Sequence, residues 1–207
     1  MLTALLLQHL RAGGCHALAM KPFCSGGRGD LKLLQSLQPG ELSDEEANPF
    51  YFSAPIAPLV AAKKRRQKIT LNEVVKRIKS VANKCDYLVI EGSGGLLVPL
   101  GKGFNVADLI GAFDCKIIVV ARNRLGTINH TLLTIESLRQ RGLKSFIIVL
   151  MGCKKPDLAS KSNKLVLNAL IEEPVISVPH LRRSPNQGLM ILDNQKKIKK
   201  TLAQILC

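Results

Sequence analysis

The chain has 207 residues, thirty Lys and Arg against fifteen Asp and Glu for a net charge of +15, and 46% apolar residues. That length supports one sizeable core, read as a single domain over residues 1–207. No apolar run approaches the roughly 18 to 20 residues that cross a bilayer, and six cysteines with no C-x-x-C pair argue against a zinc site or a disulfide framework. The positive balance favours anionic partners, among them nucleotides, phosphorylated substrates, nucleic acid and acidic surfaces, without choosing between them.

Along the chain, residues 2–12 (LTALLLQHLRA) have helical spacing. They lack the basic flank and cleavage site of a signal peptide, so an amphipathic helix and a cytoplasmic protein are expected. A strand at 17–20 (ALAM) and a helix over 30–37 follow. The segment 48–66 (NPFYFSAPIAPLVAAKKRR) combines three prolines with three aromatics and reads as an ordered irregular loop running into four cationic residues, Lys63 to Arg66. Next come a helix over 71–84 with Thr70 or Asn72 as cap, and a strand at 87–92 (YLVIEG). The second half repeats the alternation: strand 116–121, helix 127–141 opened by Thr127 or Asn129 and ended before Gly142, strand 146–151, helix 160–171 and strand 175–179. A last helix over 195–206 puts Ile198, Leu202 and Ile205 on one face with lysines opposite. The strand runs lack polar alternation and so read as covered on both faces. Strand and helix in turn predict an α/β fold, a mostly parallel sheet with helices on both faces, whose ligands bind beyond the carboxyl ends of the strands.

Three charged residues stand at or shortly after such ends: Lys21 in MKPFCSG, Asp30 in GRGDLKLL and Glu91 in EGSGG. Taken singly, Lys21 reads as a solvated lysine and Asp30 as the N-cap of the helix it precedes. Glu91 is more pointed. A carboxylate that ends a buried strand before a glycine cluster is placed to hold magnesium near phosphates. The first turn of the 127–141 helix offers backbone N–H groups to an anion, with simple capping as the plainer reading. His130 has no second metal-type ligand at helical spacing and reads as structural.

In order, KPFCSG, NPFYFSAPIAP, LVIEGSGGLLVPL and RLGTINHTLLTIESLRQRGL resemble the dethiobiotin synthetase family, and together they cover most of the chain. The resemblance implies a three-layer P-loop-nucleotidase fold. It also implies an ATP- and Mg2+-dependent ligase that adds CO2 or bicarbonate to 7,8-diaminononanoate, phosphorylates the carbamate and closes a ureido ring in biotin synthesis. Lys21 is then expected to be catalytic, Ser25 to contact the diamine, and Asp30 and Glu91 to hold magnesium. ATP is expected along Asp30, Glu91, Gly92, Ser93 and Gly94, with Pro179, His180 and Asn186 matching a looser nucleotide segment, and the family implies a homodimer.

Two departures stand out. The 207 residues contain no G-x-x-x-x-G-K-[S/T], the loop that cradles phosphates. Met1 falls where the family has completed that loop, so the first strand is expected to be missing and the true start to lie roughly 15 to 20 residues upstream. At VLMGC (149–153), Met151 or Gly152 stands where the family usually has an adenine-reading asparagine. The rival reading is a catalytically impaired relative serving as a binding module for anions or nucleic acid, although no aromatic stacking pattern accompanies the lysines. A related amidating synthetase or partition-type ATPase ranks below, lacking the combined strings.

Overall fold

The computed structural model describes residues 1–181 and 187–206. Helix α1 (Leu2–Ala12) leads into strand β1 (Ala17–Met20), and β2 (Phe23–Ser25) follows directly after Lys21 and Pro22. Next come α2 (Gly29–Leu37), α3 (Asp44–Ala47), β3 (Phe50–Phe52), α4 (Pro58–Lys64), α5 (Leu71–Ala82) and β4 (Tyr87–Ile90). Short strands β5 (Pro99–Gly101) and β6 (Phe104–Asn105) and helix α6 (Val106–Ile110) complete the first of two compact units, Met1–Phe113. The second unit, Asp114–Cys207, contains β7 (Ile117–Arg122), α7 (Thr127–Gln140), β8 (Phe146–Met151), α8 (Leu158–Leu170), β9 (Val175–Val178), α9 (Gln187–Lys197) and α10 (Lys199–Leu206).

In the first unit β1 and β4 pair in parallel, Ala17 opposite Tyr87 and Met20 opposite Ile90. Both end at the level where Lys21 and Glu91 leave the ladder, and the Glu91 N–H still donates to Met20 O at 2.8 Å. Leu5, Leu7 and Leu10 of α1 are buried, and Leu18, Met20, Phe23, Phe52, Ile78 and Leu100 belong to the apolar core. Helix α5 starts where Thr70 Oγ1 accepts from Glu73 N, and it turns Val74, Ile78 and Val81 inward at helical spacing.

The segment 48–66 is more regular than its prolines and aromatics suggest. Phe50–Phe52 is a strand in register with Phe23–Ser25, with the Phe23 and Phe50 rings stacked at 4.7 Å, and Pro58–Lys64 is a helix with proline in its first turn. The cationic run thus straddles a helix end, with Lys63 and Lys64 in the last turn and Arg65 as the C-cap, and Arg65 donates to Tyr51 O and lies over the Phe52 ring.

The second unit is a parallel β7-β8-β9 sheet. Phe146 to Leu150 of β8 are all buried. Helix α7 opens on Gly126 at φ 89° with no side-chain cap, so neither Thr127 nor Asn129 is its cap; Thr127 is instead buried. The expected last helix is divided into α9 and α10, and Ile198, Leu202 and Ile205 are buried as their spacing predicts.

Covering on both faces holds for β1 and β8 but fails for β4 and β7. Tyr87 is 51% and Val120 53% exposed. Among the described residues β4 pairs only with β1 and β7 only with β8. Each keeps one edge without a strand partner, as β1 and β9 also do, but at β1 the Gln38 side chain occupies that edge, and apolar composition alone does not reveal such differences.

Candidate functional site

The turn from β1 into β2 carries Lys21, and the first turn of α2 carries Asp30. The Lys21 ammonium donates to Asp30 Oδ2 at 2.5 Å and to Glu91 Oε1 at 2.7 Å. Three residues as far apart as 21 and 91 in sequence thus meet at one point. The N-cap of α2 is Arg28 and makes no side-chain cap bond, so Asp30 is not the cap but a first-turn acid whose carboxylate goes to Lys21. The plain surface reading of Lys21 fails as well, since its side chain is only 12% exposed.

Burial works against the Lys21 charge, but the bonds to Asp30 and Glu91 outweigh it and hold the ammonium pKa above its ordinary value. The Lys21 hydrogen bond likewise pulls Asp30 below the usual carboxylate range, against partial burial. The site therefore holds a fixed cation between two anions and is net negative. Lys21 engages one oxygen of each carboxylate. Such a pair suits a hard divalent cation that takes one or two carboxylates and completes its shell with phosphate and water. No group of three or more His, Cys, Asp or Glu side chains able to hold a metal occurs among the described residues, so a metal here would rely on this pair.

Ser25 ends β2, and its Oγ is buried with no hydrogen-bond partner. Cys24 beside it is pushed up in pKa by burial and donates to Gly27 O, so it stands as a neutral thiol. Arg28 pairs with Asp44 at 3.1 Å and lies 4.7 Å over the Tyr51 ring.

Gly92, Ser93 and Gly94 form the loop after β4. At Gly94 the glycine is required by the fold itself: φ is 76°, and a Cβ would lie 2.8 Å from Val98 Cγ2. Gly92 has room for a side chain.

The remaining candidates belong to the second unit. Pro179 and His180 follow β9 and are exposed, and Asn186 lies outside the described residues. Met151 ends β8 opposite Val178, and Gly152 N–H donates to Val178 O at 2.7 Å. His130 is exposed on α7 and lines, with Arg122, Arg124, Thr127, Thr131 and Thr134, a cavity of about 230 Å³ beside β7.

Two of the buried amides, Gln38 and Asn48, bond the backbone of β1 and of Lys21 and escaped the sequence reading. Gln38 is fully buried and bridges Ala19, accepting from its N–H and donating to its C=O, each at 2.8 Å. Asn48 is 3% exposed and donates to Lys21 O at 2.7 Å. An asparagine before a proline looks like ordinary loop chemistry, and a glutamine at a helix end gives no signal.

A family model described as an AAA domain matches residues 1–188. The ATP-dependent dethiobiotin synthetase of Bacillus licheniformis is 37% identical over 188 residues, covering 87% of this chain and 78% of that one. The chain belongs to the dethiobiotin synthetase family. A second member, from Bacillus subtilis subsp. natto, is 37% identical over 183 residues, and one from Anaeromyxobacter is 36% identical over 186. Among solved structures, the MinD cell division protein of Aquifex aeolicus aligns with a TM-score of 0.61 at 16% identity, covering 99% of this chain and 90% of that one. A ParA-family ATPase from Chlorobium tepidum aligns with a TM-score of 0.55 at 13% identity over 98% of this chain. At such identities these likenesses speak to the fold, which is of the P-loop nucleotidase type anticipated for dethiobiotin synthetases.

Proposed function

We propose that this dethiobiotin synthetase family member closes the ureido ring of dethiobiotin at the cluster of Lys21, Asp30 and Glu91, using 7,8-diaminononanoate, CO2 and ATP. The convergence of one ammonium and two carboxylates on a single point carries the reading. Addition of CO2 to one amine gives a carbamate, ATP phosphorylates it, and the second amine attacks the carbonyl and expels phosphate. Phosphoryl transfer depends on positioning and on neutralising charge, not on covalent help.

Lys21 supplies the fixed positive charge, which suits stabilising both the carbamate and the transferring phosphoryl group. Its hydrogen bonds to Asp30 and Glu91 aim the ammonium and favour its protonated form, which suits an electrostatic role. Asp30 and Glu91 would hold Mg2+, which when bound neutralises phosphate charge. Ser25 would contact the diamine: its hydroxyl has no hydrogen-bond partner in the protein, and it would have to turn out of its buried position to reach the substrate. The backbone of Gly92, Ser93 and Gly94, in the loop after β4, would border the nucleotide. Ring closure is intramolecular, so a rigid hold on the intermediate accounts for most of the second step. A cytoplasmic homodimer completes the proposal, and the dimer is checked by light scattering on the purified protein.

Incubation with ATP, Mg2+, bicarbonate and the diamine, with mass-spectrometric detection of dethiobiotin, tests the assignment. Product that depends on all four supports it. Diamine-independent ATP hydrolysis with no product overturns it.

A further inference from the structure

The N-P-F-Y-F segment has no part in the chemistry just described, yet it touches the residue at its centre. Lys21 and Pro22 form the whole connection between β1 and β2. Pro22 has no N–H, so this junction exposes three polar backbone groups: the Lys21 N–H, the Lys21 C=O and the Pro22 C=O. One short stretch satisfies all three. Ala47 O accepts from the Lys21 N–H at 2.9 Å, and Phe50 N–H donates to Pro22 O at 3.0 Å. Asn48 Nδ2 donates to Lys21 O at 2.7 Å and reaches Pro22 O at 3.4 Å.

We infer that Asn48 is a positioning residue that locks the Lys21 backbone so that its ammonium falls between Asp30 and Glu91. The inference rests on the reading of Lys21 as the working cation. Asn48 is itself held: as the C-cap of α3 its N–H donates to the C=O of Asp44, the first residue of that helix, whose start is fixed by the reciprocal bonds of Ser43 and Glu46. Glu46 in turn is ion-paired with Lys84. The orientation of the Asn48 amide follows from its neighbours, because two carbonyl oxygens can face only a donor. Its Oδ1 is buried with no partner, so the stabilising half of this amide is the N–H half. A lysine stem has four rotatable bonds, and a backbone displaced by about 1 Å can cost on the order of 100-fold in rate.

The test compares Asn48→Asp, which keeps the shape and removes the donor, with Asn48→Ser, which falls short of Lys21 O and introduces no charge. Both are made in the wild-type and Lys21→Ala backgrounds. Dethiobiotin formation is expected to fall about 100-fold in kcat in each variant, with KM for ATP within about twofold. In the Lys21→Ala background neither is expected to lower the rate further, since a residue acting through Lys21 has nothing left to position. Amide hydrogen exchange at Lys21, followed by NMR, supplies a readout independent of turnover: it is expected to accelerate at least about tenfold while Val74 in α5 is unchanged. Full loss on top of Lys21→Ala, or unchanged exchange at Lys21, overturns the inference. If Lys21→Ala leaves turnover intact, the reading of Lys21 fails on its own, and the exchange measurement still decides whether Asn48 fixes that backbone.

Discussion

Ala17 to Met20 of β1 are buried at every position, whereas β4, paired with them residue for residue, leaves Tyr87 51% and Ile90 39% exposed. The difference lies at the two outer edges. On the side of β1 away from β4, the side-chain amide of Gln38 takes the place of a neighbouring strand by bonding both the N–H and the C=O of Ala19. No such substitute sits beside β4 among the described residues. The comparison teaches that Lys21 and Glu91, though they touch, are held with unequal firmness: the lysine grows from a strand pinned on both edges, the glutamate from one pinned on a single edge.

The largest effect that sharpens this contrast is expected from Lys21→Ala, which removes the cation and leaves Asp30 and Glu91 facing each other. Dethiobiotin formation should fall by about 1,000-fold, the scale of losing a preorganised electrostatic contact in a shielded site. Glu91→Gln keeps the shape and one acceptor while removing a charge. A loss of about 100-fold in rate together with a higher Mg2+ requirement is expected, read by titrating the metal at saturating ATP.

Breaking the firm edge comes next. Gln38→Leu preserves the volume but strands two buried backbone groups of Ala19, and urea unfolding should show a loss of about 2 to 3 kcal/mol. The equivalent insult on the loose edge, Tyr87→Ser on exposed β4, is expected to change stability by less than about 0.5 kcal/mol.

The smallest effect is electrostatic. Lys84 and the Ser43 cap hold the Glu46 carboxyl at about 2, and Lys21 holds Asp30 below its usual range. Both folded-state values lie below the unfolded ones. Their contribution is therefore full above about pH 4, the unfolded carboxylate value, and disappears as the pH falls toward 2. Lys21 has the opposite sign: its raised value contributes below about pH 10 and is lost at higher pH. Glu46→Gln should flatten the acid limb of a melting-temperature profile only slightly, because the pair lies near solvent.

Much of this was legible in the sequence because the deciding signals are local. The apolar runs that give β1, β4, β7, β8 and β9 are short and rich in aliphatic residues, and a charged residue follows directly on β1 and on β4. Pairing of Lys21 with Asp30 and Glu91 was anticipated as a convergence, though Asp30 taken singly favoured the cap. The strand at Phe50–Phe52 was not legible, since a three-residue strand between prolines has no period to detect. The edge status of β4 and β7 was hidden for a different reason: which strands lie outermost depends on long-range pairing, and an aliphatic run looks the same in either place. Gln38 and Asn48 were missed because a buried amide owes its importance to the backbone groups it meets, and those are assigned only by the fold.

The seam between β8 and β9 carries a consequence of its own. A Cβ at position 152 would sit 2.9 Å from His180 N and 3.0 Å from Val178 O, and neither atom belongs to a side chain that can swing aside. Every substitution there must push apart two main chains. In a saturation library of this gene, codon 152 should therefore come back almost entirely as glycine, and any molecule lying along that seam would meet peptide groups that no point change at this codon can redecorate.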